Sequence, residues 1–251
     1  MALPEFWNQI PEHSQHLQEW IALINQADYV GVRGPLSASQ LREWGVQALI
    51  NVIGDPALYF AEAKVQAKVG RRVLGVSAGS TKNLLWGDSD ETFWDGLLEQ
   101  LETLGECGWS FVLFHVMPGD ALFAELASER LRKYSVRTAE NYLSPEHFLK
   151  QLREVDVFVG EKLHATILAI CAHTPSIMRE YRPKCRDFML SLDLEDRLIR
   201  TDEIEHAMLV DRVEDLYNSR RDEQERLFSR TQPMKQRLVD AMQEMVRIAT
   251  T

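Results

Sequence analysis

Short apolar runs alternate along this chain with stretches whose apolar residues recur every three or four positions. Leu17, Trp20, Ile21, Leu23 and Ile24 follow the helical spacing against Gln, Glu and Asn, with Phe6, Trp7 and Ile10 ahead of them; one apolar face predicts a helix from Leu17 onward. A short strand is expected over 29–33, broken by Gly34-Pro35. Ser37 suits the N-cap of a helix over 38–44 that stops at Gly45. A second short strand over 49–53 stops at Gly54-Asp55-Pro56, and 57–71 reads as a connector. From Arg72 the rhythm becomes regular: strand 72–77, a small-residue turn Ala78-Gly79-Ser80, an amphipathic helix over 90–106, and an apolar run 109–116 of the kind buried on both faces of a parallel sheet. A helix 121–132, a strand 135–138, and a helix 146–153 opened by Ser144-Pro145 follow. The apolar run Val157-Phe158-Val159 then meets Gly160-Glu161-Lys162, and His164 opens an Ala-rich segment. That is a buried strand, a tight turn and a helix whose first residues face a cleft. Ser176-Ile177-Met178 leads to a further helix that begins near Pro183-Lys184, and 205–250 is almost all helix.

Four or five strand–helix alternations between 72 and 180 predict an α/β fold, a Rossmann-like parallel sheet with its ligand loops along one edge. The expected divisions are a small α/β lobe at 1–71, the Rossmann-like domain at 72–204 and C-terminal helices at 205–251.

The totals narrow the function class. A chain of 251 residues with 45% hydrophobic content and net charge −10 can bury a core but makes a poor nucleic-acid binder. Cys107, Cys171 and Cys185 are scattered; they form neither a disulfide framework nor a metal motif, so a reducing, cytosolic compartment is expected. The first residues carry no signal-peptide pattern, and no apolar run approaches the roughly 20 residues of a membrane span.

Several residues could carry chemistry. His164 stands at a strand-to-helix junction, where an imidazole can move a proton beside an anion held by the helix start; the alternative is a core or capping histidine. Lys184 falls in a first helical turn, where a point charge suits a phosphate or carboxylate; the alternative is a solvated lysine. Arg33 at a strand end is a candidate oxyanion clamp, or a partner for Asp55, which is otherwise a turn former. The stretch Gly75-Val76-Ser77-Ala78-Gly79-Ser80 resembles a phosphate-approach loop but fits neither a GxGxxG nor a Walker pattern. His115 is as consistent with packing as with a site. Cys171 and Cys185 have no surrounding His/Asp constellation.

Four segments in order resemble the polysaccharide pyruvyl transferase family. Val30-Gly31-Val32-Arg33-Gly34-Pro35-Leu36-Ser37 is similar to its V-R-x-x-x-S segment, and Gly54-Asp55-Pro56-Ala57-Leu58 to its G-D-P-A-L element. Gly160-Glu161-Lys162-Leu163-His164-Ala165 is similar to its R-L-H-[GA] motif, with Lys162 in place of Arg, and Tyr181-Arg182-Pro183-Lys184 to its Y-x-x-K element. The resemblance covers about residues 28 to 200. It implies a GT-B-type architecture and transfer of the enolpyruvyl unit of phosphoenolpyruvate to a saccharide, forming a pyruvate ketal in cell-surface polysaccharide (exopolysaccharide) biosynthesis. It implies a catalytic role for His164 and substrate binding by Arg33 and Lys184; Lys162, Ser77 and Gly79 complete the expected binding set. The resemblance implies phosphoenolpyruvate as the donor substrate, and no cofactor or metal is expected. The acceptors that the resemblance implies are saccharides of cell-surface polymers, often carrier-linked, and the expected location is the cytoplasm or the inner face of the membrane. The segment ahead of V-R is shorter than the family's, so a truncated N-terminal lobe is expected, completed by a second copy or a partner chain. The alternatives are a nucleotide-sugar glycosyltransferase of the same fold, with Asp202, Glu203 or Glu205 as its carboxylate, and a non-catalytic partner subunit.

Overall fold

In the computed structural model of the chain, residues 15–65, 70–139, 144–203 and 206–250 are described. Phe6, Trp7, Ile10, Glu205 and part of the 57–71 connector lie outside them.

Two parallel sheets organise these residues. The small one pairs β1 (Val30–Val32) with β2 (Ile50–Val52). Helices α1 (Gln15–Asn25) and α2 (Pro35–Glu43) cover it, and the buried Leu17, Ile21, Ala38, Val46 and Ile50 give it a core of its own. The helix α2 begins earlier than its sequence suggests. Pro35 takes the first helical position after the extended Gly34, where its missing N–H costs nothing. Ser37 is therefore inside the first turn rather than at the cap. After β2, Gly54 turns the chain with a positive φ of 82° into a 3-10 segment, Pro56–Phe60.

The large sheet has six parallel strands in the order β5-β4-β3-β6-β7-β8. They are β3 (Val73–Ser77), β4 (Ser110–Leu113), β5 (Val136–Thr138), β6 (Val157–Gly160), β7 (Ser176–Glu180) and β8 (Leu198–Arg200). Helices α3 (Asp90–Glu106), α4 (Ala121–Arg130), α5 (Pro145–Leu152), α6 (Leu163–Cys171) and α7 (Pro183–Ser191) connect them. With both faces covered, β3 and β6 are apolar throughout their centres: Leu74, Val76, Val157 and Val159 are buried, as parallel strands require. The strand in the 109–116 run is shorter than the run at both ends: Trp109 lies ahead of it with its ring edge-on to Tyr217, centroids 5.2 Å apart, and 114–116 lead into the turn where Asp120 accepts the Val116 amide. The edge strand β8, three residues long, has only the pair Leu198-Ile199 as its apolar signal in the sequence.

Strand order reverses between β3 and β6, which are direct neighbours. Such a switch point opens a crevice beyond the carboxyl ends of the strands. The loop after β3 and the start of α6 both emerge there. The small sheet closes on the same side: α2 packs on α7, and the 3-10 segment packs on α6. Two helices, α8 (His206–Asn218) and α9 (Arg220–Ala249), complete the described fold. α9 returns to the small sheet, where Arg237 donates to the Val52 carbonyl at 3.3 Å and Lys235 to the Ala61 carbonyl at 2.8 Å. No helix among the described residues is long and apolar enough to cross a membrane. The whole is an α/β, GT-B-type arrangement.

Candidate active site

The turn after β6 is built by close packing. Gly160 has no side chain, and a Cβ there would overlap the Thr166 hydroxyl, which folds back from the second turn of α6. Lys162 precedes α6 in extended conformation and its side chain does not cap the helix. The first-turn amides of α6 are thus left open to an incoming anion. His164 is the second residue of α6 and is exposed.

His164 shares a cleft of about 410 Å³ with Arg33 and Asp55 at one end and with Phe60, Pro145 and Leu168 as an apolar wall. Arg33 leaves β1 and bonds through Nε to the buried Asp55 carboxylate at 2.7 Å. Asp55 also accepts the Ala57 amide at 3.0 Å. Both sequence readings of this pair therefore apply: Asp55 shapes the turn and orients Arg33. Among the described residues nothing bonds to the Nη atoms of Arg33, so its outer fork is available.

Lys184 is the second residue of α7, beside α6 in the sheet order, and does not line that cleft. α7 also lacks a side-chain cap. The Lys184 ammonium is half-buried, 5.0 Å from the Tyr181 ring centroid. Burial, and next the cations Arg182, Arg33 and Lys162, hold it below the usual lysine range. Among the described residues no carboxylate pairs with it.

The other three expected binding residues are engaged internally. Lys162 donates to the Ser80 carbonyl at 2.8 Å and faces Asp120 at 3.3 Å, its side chain only 13% exposed. Ser77 ends β3 fully buried, with no partner for its hydroxyl among the described residues. The Gly79 amide donates to Glu161 Oε2 at 2.9 Å, and a Cβ at Gly79 would overlap Asp120. The glycine is thus explained by Asp120, without a phosphate. Further along the loop, Asp90 accepts from the Thr81 amide at 2.8 Å, from the Ser80 hydroxyl at 3.0 Å and from the Thr81 hydroxyl. Asp120 accepts the Val116 and Met117 amides at 3.2 and 3.0 Å. The amides that would cradle a phosphate after β3 and β4 are occupied by the protein's own carboxylates.

Burial pushes the Glu161 carboxyl up to about 7, with Asp90 and Asp120 adding and with Lys162 and the Gly79 amide opposing. Its Oε1 has no partner among the described residues. Burial lowers the neighbouring Arg179 to about 10; its Nη2 donates to the Glu203 carbonyl at 3.2 Å. Burial also raises both inner thiols, Cys185 to about 12 and Cys171 further, which makes them inert. His115 lines a separate hollow against α4 with Glu125 and Thr138. Asp202 is paired with Arg200 at 2.5 Å, and Glu203 accepts the Arg200 amide at 3.1 Å. Asp90, Asp120 and Asp187, which shape these loops, carry no signal in the sequence, because their partners are distant in the chain or are backbone groups.

The fold recurs in solved structures. The S. aureus TarM variant in complex with fondaparinux, alpha-GlcNAc-glycerol and UDP matches at TM-score 0.52 and 13% identity, over 91% of this chain and 46% of that one. Another TarM structure matches at TM-score 0.52 and 11% identity, over 94% and 46%. Anabaena HepE in complex with UDP and glucose matches at TM-score 0.54 and 13% identity, over 96% and 68%. The chain thus spans about half the length of TarM. No curated protein matches it in sequence. The model of the polysaccharide pyruvyl transferase family matches residues 7–183, well over half of the chain, and the protein belongs to that family of transferases.

Proposed function

We propose that the protein transfers the enolpyruvyl unit of phosphoenolpyruvate to two hydroxyls of a saccharide, forming a pyruvate ketal. In the balanced reaction, C3 of the donor takes a proton, C2 gains two C–O bonds from the sugar hydroxyls and the C2–O bond to phosphate breaks. One hydroxyl proton matches the proton gained at C3, and the other leaves with inorganic phosphate. The observation that carries this reading is the pair of uncapped, neighbouring helix starts at α6 and α7. One presents His164 in a cleft with the open fork of Arg33, and the other presents a half-buried Lys184 lacking an anion. Phosphoenolpyruvate is a compact, highly charged anion and suits such fixed cations. His164 is the proton carrier, as general acid at C3 or general base at a hydroxyl, a contribution of about 10²–10⁴ in rate. The apolar wall of Phe60, Pro145 and Leu168 suits a sugar-ring face. The acceptor is a cell-surface saccharide on a carrier, met on the cytoplasmic side.

The test is phosphate release from phosphoenolpyruvate across a panel of saccharide acceptors. The wild type should release phosphate with at least one of them. His164→Ala should lower that rate by about 10²–10⁴ while still binding phosphoenolpyruvate in calorimetry. Wild-type protein that fails to bind phosphoenolpyruvate would overturn the reading. A nucleotide-sugar reaction finds less support, since Asp202 and Glu203 are already engaged with Arg200.

A further inference from the structure

Asp187 lies on α7, three residues beyond Lys184, and its side chain reaches the other sheet. Its Oδ1 accepts the Leu36 amide at 2.7 Å and the Ser37 amide at 3.3 Å, and its Oδ2 accepts the Ser37 hydroxyl at 2.5 Å. The partners stand 150 residues apart in the chain. The carboxylate is buried, 4% exposed. Gly34 is needed at this point, since a Cβ on it would overlap both the carbonyl and the carboxylate of Asp187. α2 has no cap of its own, because Gly34 occupies the cap position without a side chain. Asp187 therefore supplies the cap from across the molecule, satisfying amides that would otherwise be open.

Two cations flank this contact. Arg33 immediately precedes Gly34, and Lys184 is one helical turn before Asp187. Like charges repel, and Arg33 is among the cations that disfavour the charge on Lys184. The Asp187 bonds join the helix that carries Lys184 to the segment that follows Arg33.

We infer that Asp187 is a positioning residue, a latch that holds the Arg33 loop of the small sheet against α7 and so fixes the spacing of Arg33 and Lys184 before the anion arrives. The identity of that anion rests on the function proposed above; the latch itself does not. Fixing two cations in advance spares the ligand the work of drawing them together. Ser37 acquires a role that its position in the sequence does not reveal, as the donor that closes the latch.

The experiment compares wild type, Asp187→Asn, Asp187→Ala and Ser37→Ala by two readouts. The first needs no ligand. Nitroxide labels at Arg42→Cys on α2 and Lys150→Cys on α5, in a Cys107→Ser background, report the distance distribution between the two sheets by pulsed electron resonance. The second is calorimetric affinity for phosphoenolpyruvate and for inorganic phosphate. Asp187→Asn keeps an acceptor for the two amides and should retain a narrow distribution and near wild-type affinity. Asp187→Ala should broaden the distribution and weaken phosphoenolpyruvate binding by about 10–100-fold, and Ser37→Ala should fall between. A narrow, unshifted distribution in a folded Asp187→Ala overturns the latch, as does equal loss in Asn and Ala, which would make the charge rather than the contact responsible. If wild type binds neither anion, the proposed function fails, and the distance readout still decides the latch.

Discussion

The loop after β3 and the helix starts after β6 and β7 emerge side by side at one sheet edge, yet they are finished in opposite ways. After β3, Glu161 and Asp90 occupy the Gly79 and Thr81 amides. After β4, Asp120 occupies the Val116 and Met117 amides. At α6 and α7 no side chain caps the helix. Parallel strands followed by helices aim many positive backbone ends at one crevice. Internal carboxylates occupy the loop amides after β3 and β4, whereas α6 and α7, which carry His164 and Lys184, start without a side-chain cap. The glycine-bearing loop after β3 is filled by the protein's own carboxylates, and the helix starts of the proposed site are not.

The sharpest way to break this contrast is at Glu161, the seal nearest His164. Its folded value of about 7 lies above the ordinary 4.5, so the ionised form is disfavoured in the fold. The stability it contributes is fully present below pH 4.5 and is lost as the pH rises through about 7. Glu161→Gln keeps an acceptor for Gly79 and cannot titrate. Urea unfolding from pH 4.5 to 7.5 should show wild type losing on the order of 3 kcal/mol relative to the variant. Parallel pH profiles would mean that the seal is ionised throughout. Lys184→Met tests the open side. It removes the charge and keeps most of the stem, so phosphoenolpyruvate affinity should fall by about 10–100-fold with little change in the melting temperature; unchanged affinity would remove Lys184 from the site. Ser89→Ala, which removes the α3 cap held by the Thr92 amide at 3.1 Å, is the smallest perturbation. It should cost about 1 kcal/mol of stability and leave anion affinity unaltered.

Much of this architecture is legible in the residue pattern, for identifiable reasons. The helix expected over 90–106 appears as α3 (Asp90–Glu106), because Ser89 and the spacing of Phe93, Trp94, Leu97, Leu98 and Leu101 are local signals. The strand–turn–helix at 157–171 is legible because both its faces are buried, which leaves an uninterrupted apolar run. Ser37 misleads: a good cap residue by type, it serves a carboxylate 150 positions away, and Pro35 starts the helix before it. The loop at 75–80 misleads in the same manner, since its small residues make room for Asp120 and Glu161, which lie on other loops. β8 escapes notice because it is short and at the edge. Local rules find elements; they do not find which distant side chain completes a loop.

The return of α9 to the small sheet has a consequence for the order of events in synthesis. Gln232 on α9 donates to the Glu62 carbonyl at 2.8 Å across 170 positions, and Arg237 reaches Val52 across 185. The small sheet leaves the ribosome early, while the helix that straps it down is made long afterwards. At synthesis rates of about 5–20 residues per second, those 170 positions correspond to roughly 10–30 seconds. During that interval β1 and β2 have their own small core, gain α7 only in its last part and lack α9 until its end. The small sheet is thus made early and fastened late, and the last helix is what completes its packing.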